Sequence, residues 1–141
     1  MRKLKQQASR NIYRVIDANL NRTKEGLRVC EEVFRFIVSD RARTAEFKKI
    51  RHSIDSIFKS VDYRTVLRHR DIEGDVGRGY LKTELRRLGP DNILRINMQR
   101  VKESLRVLEE FLKLIDKKAA LGAKDARYRV YRLEKKISER L

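Results

Sequence analysis

The sequence predicts an all-α protein, a four-helix bundle of two duplicated helical hairpins joined by a central loop rich in Gly, Asp and Arg. Three observations lead there. Residues 19–37, NLNRTKEGLRVCEEVFRFI, return 78 positions later as residues 97–115, NMQRVKESLRVLEEFLKLI, with ten of nineteen positions identical. In both copies the apolar residues are spaced by alternating fours and threes: Ile16, Leu20, Leu27, Cys30, Phe34 and Ile37, with Thr23 filling a gap, and Leu94, Met98, Val101, Leu105, Leu108, Leu112 and Ile115. That is the seam of a packed helix sustained over several turns. A second apolar series, Phe47, Ile50, Ile54, Ile57 and Val61, recurs 76 positions later as Ala123, Ala126, Val130, Leu133 and Ile137, so the duplicated unit is a hairpin.

The elements follow in order. A basic, frayed stretch over residues 1–8 leads to Ser9, which can cap a first helix running to about Val38. Ser39-Asp40 offers a turn and the next cap, for a helix over about 42–60. Residues 61–68 read as a short helix, 68–79 as a loop, and 83–88 as a turn ending at Gly89-Pro90. Asp91 or Asn92 then caps a helix to about Asp116, and Gly122 separates it from the last. The whole of 1–141 reads as one helical domain: a hairpin over about 10–61, a connection over about 62–90 and a second hairpin over about 91–141.

The length suits one domain with a substantial core. The 36 Lys and Arg against 20 Asp and Glu give a net charge of +16 and point to an anionic partner, nucleic acid, acidic membrane or small phosphorylated molecules. A heat-adapted composition would give a similar balance. The single cysteine excludes an internal disulfide and a cysteine-based structural zinc site, and its repeat counterpart Leu108 makes Cys30 a packing residue. No apolar run reaches membrane-spanning length and residues 1–14 lack a signal-peptide apolar region, so a cytoplasmic protein is expected, with no membrane partner.

A seam constrains apolar residues and leaves polar ones free, so the repeated polar residues call for another explanation. By helical angle Lys24, Arg28, Glu31 and Glu32 fall opposite or beside the seam. Asn19 and Arg22 share a second apolar flank with Gly26, Val29 and Val33, as Asn97 and Arg100 do with Ser104, Val107 and Phe111. A guanidinium there needs a partner. Either each pairs with a Glu of a neighbouring helix or the two form an anion site facing the bundle interior. Arg51-His52 matches Arg127-Tyr128 at the same place on the hairpin, and His52 is either a packing residue or a ligand or acid-base group. The loop RHRDIEGDVGRG, residues 68–79, has no counterpart in either hairpin. Its glycines allow φ > 0 and amide N–H groups aimed at an anion, and Asp71, Glu73 and Asp75 on alternate residues could face one Mg²⁺. The alternative is a solvated connection.

DANLNRTKEGLRVCEE, Arg51-His52, RDIEGDVG and NMQRVKESLRVLEE, in this order and over nearly the whole chain, closely resemble the helical domain fused to the amino end of some bacterial thiamine-phosphate synthases, which also occurs alone. That family is assigned as a hydroxymethylpyrimidine-phosphate kinase. The resemblance implies ATP-dependent phosphorylation of a small phosphorylated pyrimidine to its diphosphate in thiamine biosynthesis, with a functional link to thiamine-phosphate synthase. The synthase activity itself belongs to a barrel of over about 200 residues, too long for this chain.

For such a phosphoryl transfer the residues suggest roles. Arg22 and Arg100 would hold phosphate groups as bidentate forks, with Asn19 and Asn97 on the pyrimidine edge or a phosphate oxygen and Glu25 and Glu103 orienting the guanidinium groups. Asp71 and Asp75 would bind Mg²⁺, and Arg70 would neutralise charge developing on the transferred group. Arg51, His52 and Gly77 complete the candidate phosphate-binding set. No Walker-type loop is present. A basic nucleic-acid-binding module is the main alternative, although the repeat interleaves Glu25, Glu31 and Glu32 with its arginines instead of presenting one basic face. A structural or dimerisation bundle would explain the seams but not the acidic, glycine-rich loop, and a homodimer is compatible with either.

Overall fold

The computed structural model describes residues 1–139. Five α-helices, α1 (Arg2–Glu32), α2 (Arg41–Ile57), α3 (Tyr63–Arg68), α4 (Pro90–Leu112) and α5 (Lys117–Ser138), carry the fold, with a 3₁₀ turn at Lys82–Leu85. No strand occurs among the described residues. The expected all-α bundle is present: α1 packs along α4, α4 on α5, α5 on α2 and α2 on α1, closing a four-helix ring.

Helix α1 begins at Arg2, several residues before the expected start. Ser9 therefore lies inside the helix, and its side chain is outside the described residues. After Glu32 the helix widens into a π turn over Val33–Val38 and stops at Ser39, whose φ of 59° places it in the left-handed region. Asp40 then caps α2 by accepting from the Arg43 N–H, and Asp62 and Asp116 cap α3 and α5 in the same way. Helix α4 starts at Pro90, whose missing N–H costs nothing in a first turn, and neither Asp91 nor Asn92 serves as its cap. Gly122 sits inside α5, not between helices: a Cβ there would meet Ile57 Cγ2 at 2.6 Å, so its absence lets α2 and α5 close.

The predicted seams form the core. Ile16, Thr23, Leu27, Cys30, Val101, Leu105, Leu108 and Leu112 are fully enclosed, and each buried leucine contributes about 1.5–3 kcal/mol. Burial pushes the Cys30 thiol up to about 12, so it packs and does not react. The seam fails at its last position in both copies. Ile37 is 62% exposed because the π turn rotates it outward, and Ile115, in the turn after α4, is 38% exposed.

Helices α1 and α4 run antiparallel and cross at small residues. Thr23 Oγ1 and Ser104 Oγ are 2.7 Å apart, and a Cβ on Gly26 would meet Val101 Cγ2 at 2.6 Å. Val101 is the repeat counterpart of Thr23, and Ser104 that of Gly26. The two contacts are one contact seen from both sides, so the pseudo-twofold axis relating the hairpins passes between them.

Each hairpin is also bolted internally by a buried charge pair. Arg51 Nη2 lies 3.4 Å from Glu31 Oε2, and Arg127 Nη2 lies 2.8 Å from Glu109 Oε2. Glu31 and Glu109, 1% and 5% exposed, are thus core residues and not members of the solvent arc that their helical angle suggested. Burial pulls the Arg127 pKa down, but hydrogen bonds to Tyr131 and Glu109 outweigh it and leave the guanidinium above its ordinary value. The expected pairing of arginine with a neighbouring helix's glutamate exists, then, at Arg51 and Arg127 and, among the described residues, not at Arg22 and Arg100.

Candidate functional site

The repeated Asn-Arg-Glu residues meet on the outer face of the α1/α4 pair, around the pseudo-twofold axis. Asn19, Arg22, Glu25 and Gly26 from α1 and Asn97, Arg100, Glu103 and Ser104 from α4 line an open cleft of about 480 Å³, with Glu84 of the 3₁₀ turn at its rim. The cleft faces solvent, not the bundle interior: Arg22 and Arg100 are exposed, because the flank that carries them lies at the edge of the helix contact. Neither guanidinium makes an ion pair among the described residues.

The asparagines are held alike. Asn19 Nδ2 donates to the Val15 carbonyl and Asn97 Nδ2 to the Ile93 carbonyl, each at 2.8 Å and one turn back. This spends the amide donor locally and leaves the oxygen for other partners. Asn19 Oδ1 accepts a long bond of 3.5 Å from Arg22 Nη1. Glu25 and Glu103 line the cleft, but Glu103 accepts from Gln99 at 3.0 Å, and neither carboxylate is paired with the arginine it was expected to orient.

A second cleft of about 420 Å³ adjoins the first and shares Asn19 and Arg22 with it. Its other walls are Asn11, Arg14 and Asp17 of α1 and Arg70, Asp71 and Asp75 of the central loop. The loop is clamped there. Arg70 Nε and Nη2 donate to the two oxygens of Asp17, both at 2.7 Å, and Asp17 is buried and also accepts from Asn21. The hydrogen bond to Asp17 raises the Arg70 pKa, so the guanidinium is held charged. Arg14 Nη2 donates to the Asp71 carbonyl at 3.3 Å, and His69, bonded to the Thr65 carbonyl, lies with its ring 5.1 Å from that of Tyr13. A bidentate Arg–carboxylate pair with one partner buried is a rigid attachment. It also occupies the Arg70 forks, which were expected to face the transferred group.

Within the loop, Asp71 Oδ1 accepts from the Gly74 N–H at 2.8 Å and Asp75 Oδ1 from the Gly77 N–H at 3.0 Å. Each carboxylate thus keeps one oxygen without a hydrogen bond among the described residues. The Gly77 amide, expected to meet an anion, is spent on Asp75. Glu73 is turned to solvent beside Arg78, at 3.7 Å, and no group of three metal-capable side chains gathers among the described residues. The three-carboxylate arrangement is therefore not formed. No described glycine lies in the left-handed region. Gly74 instead leaves room for the Asp71 carboxylate, which a Cβ there would displace.

Arg51 and His52 stand apart from both clefts, Arg51 committed to Glu31 and His52 exposed on α2. Asp17, Arg14 and Asn11 are site residues that the repeat could not flag. Their counterparts 78 positions on are Arg95, Asn92 and Gly89. These departures from the duplication are the signal available, because only one hairpin receives the loop.

Fold and clefts together describe an internally duplicated helical bundle with two adjoining, arginine-lined clefts of small-molecule size. Its family can be named. The profile of the ThiD2 family matches residues 14–136, and the chain belongs to that family. It is 37% identical over 134 residues to a thiamine-phosphate synthase of Nostoc punctiforme, covering 94% of this chain and 37% of that one. To a thiamine-phosphate synthase of Synechocystis sp. it is 42% identical over 136 residues, with 92% and 37% covered. To that of Rhodopirellula baltica it is 35% identical over 124 residues, with 87% and 33% covered. The chain spans about a third of the length of the curated relatives it matches. No solved structure matches it.

Proposed function

We propose that this chain acts in thiamine biosynthesis as an ATP-dependent kinase that phosphorylates hydroxymethylpyrimidine phosphate to the diphosphate. The observation that carries the reading is the junction of two clefts at Asn19 and Arg22. A kinase for a substrate that is already phosphorylated must hold two phosphate-bearing ligands side by side. The α1/α4 cleft, with Arg22, Arg100 and two asparagine oxygens that can accept from an amino-pyrimidine, suits the phosphorylated pyrimidine. The cleft under the loop suits the nucleotide phosphates: Arg14 and Arg22 supply charge, and Asp71 and Asp75 offer two carboxylates.

Two carboxylates are what Mg²⁺ takes from a protein when substrate phosphates complete its octahedron, so the donor set fits that ion. Mg²⁺ would supply charge neutralisation for the phosphate oxygens. Arg22, common to both clefts, stands where the transferred group would pass and would stabilise its equatorial charge. Arg70 acts through Asp17, keeping Asp71 and Asp75 against α1, and is thereby a positioning residue. Glu25 and Glu103, unpaired with the arginines, are available to the substrate's ring substituents. Arg51 and His52 have no role in this scheme. No described helix is long and apolar enough to cross a membrane, and the reading needs none.

The test is ADP release with Mg-ATP and hydroxymethylpyrimidine phosphate, with the diphosphate identified as product. Asp75→Asn should lower Mg²⁺-dependent turnover by about 10² or more while leaving helical circular dichroism unchanged. Absence of substrate-dependent ADP from the folded parent protein would overturn the kinase reading.

A further inference from the structure

The opposite face of the bundle carries a groove that the duplication does not explain. It lies between α2 and α5, has a volume of about 280 Å³, and is floored by the buried Ile50 and Leu133. Lys49, Arg129, Arg132 and Lys136 surround it. Its one carboxylate, Glu46, is shared between Arg43 at 3.4 Å and Lys136 at 3.7 Å. Lys49, Arg129 and Arg132 have no ion-pair partner among the described residues.

The pseudo-twofold provides an internal control for those charges. A shift of 76 positions maps the groove onto the other end of the same α2/α5 contact, where Gly122 meets Ile57. There the counterpart of Lys49 is Asp125, and those of Arg129, Arg132 and Lys136 are Ser53, Ser56 and Ser60. The helix contact is thus built at one end from serines and an aspartate and at the other from four cations. Packing requires none of the cations. Crowding three unpaired ones round a groove costs repulsion that an anion would relieve. The i, i+3, i+7 spacing along α5 places two guanidinium forks and an ammonium on one stripe of about 10 Å, the length of a short chain of linked phosphates. Arginine forks match phosphate oxygens in pairs.

We propose that the α2/α5 groove is a second anion site, separate from the clefts on α1/α4, and that it takes an oligophosphate group, with Arg129 and Arg132 as its forks and Lys49 and Lys136 closing it. The ligand is a di- or triphosphate, carried either by a nucleotide or by a diphosphate product. The site itself stands independently of the kinase reading; only the diphosphate-product source and the ADP readout rest on it.

The experiment is calorimetric titration of the intact chain with inorganic tripolyphosphate at low salt, repeated with ATP and with inorganic pyrophosphate. Arg129→Ser/Arg132→Ser/Lys136→Ser gives the groove the residues of its own counterpart and changes only side chains outside the core. Arg22→Ala/Arg100→Ala serves as the control for the clefts. The groove variant should bind tripolyphosphate at least about tenfold more weakly in one class of sites, the scale of one lost charge-assisted bond, with an unchanged urea midpoint and unchanged ADP formation. The cleft variant should keep that class of sites. ATP binding without pyrophosphate binding at the groove would assign it to a nucleotide, and the converse to a diphosphate product. A groove variant that titrates like the parent, a cleft variant that abolishes all tripolyphosphate binding, or a groove that retains single-stranded RNA but not tripolyphosphate would each overturn the proposal.

Discussion

Arg22 and Arg100 on one side, and Arg51 and Arg127 on the other, belong to the same duplication and are equally faithful copies. Their surroundings differ. Arg51 and Arg127 are largely enclosed, face Glu31 and Glu109 across their own hairpins, and each leaves a buried Nε without a partner among the described residues. Arg22 and Arg100 stand in an open cleft, each without an ion-pair partner among the described residues although Glu25, Glu84 and Glu103 line the same walls. Repetition marks both pairs as needed, and it cannot tell a residue that holds the fold from one held out for a ligand. Burial and the presence of a partner can.

The largest effect should come from breaking a buried pair. Glu109→Ala leaves Arg127 enclosed and uncompensated and should cost about 3–5 kcal/mol in urea denaturation. Glu31→Ala should cost less, because Arg51 is slightly more exposed and stands farther from its carboxylate, 3.4 against 2.8 Å. If the two losses were equal, or reversed, the geometric difference between the hairpins would carry no energy.

Arg22→Ala and Arg100→Ala should behave in the opposite way. Each should leave stability within about 0.5 kcal/mol of the parent, as exposed substitutions do. Arg22→Ala should lower turnover by about 10²–10³, the scale of one lost charge-stabilising donor. Arg100→Ala should lower it less, since Arg100 lines one cleft and Arg22 lines both. A large stability loss at Arg22 would move it into the same class as Arg127, and equal activity losses would remove the special place of the junction.

The same contrast shows how far the sequence could be read. The apolar spacing placed the four long helices and most of the core, because burial acts on every turn of a helix and leaves a period; it missed Ile12, Phe58, Val66, Ala119 and Ala120, which lie outside the seams. It failed at Ile37, where a π turn alters that period, and at the start of α1, whose first turn has no side-chain cap to announce it. Asn19, Arg22, Asn97 and Arg100 were legible as a set because the duplication printed them twice. Asp17 was not, since its importance arises from Arg70, 53 residues away, docking on one hairpin alone. Glu31 was misread for a related reason. Helical angle gives its direction from α1, and only the arrival of α2 with Arg51 makes that direction an interior.

The smallest effect is expected at the axis itself. Gly26→Ala gains about 1 kcal/mol of helix propensity, but its Cβ meets Val101 Cγ2 at 2.6 Å and the Asn97 carbonyl at 3.3 Å. Backbone cannot yield as a long side chain does, so the overpacking, about 1–3 kcal/mol, should prevail and leave a net loss near 1 kcal/mol. The counterpart contact suggests its own remedy. Ser104 occupies the same position against Thr23 and bonds to it at 2.7 Å. Gly26→Ser combined with Val101→Thr would copy that contact onto the other side of the axis and exchange an apolar clash for a hydrogen bond worth about 1 kcal/mol. The double variant should therefore be more stable than Gly26→Ala in parallel urea titrations. If it were less stable, the two sides of the crossing would differ in backbone separation, and Gly26 would mark a closer approach that the pseudo-symmetry does not share.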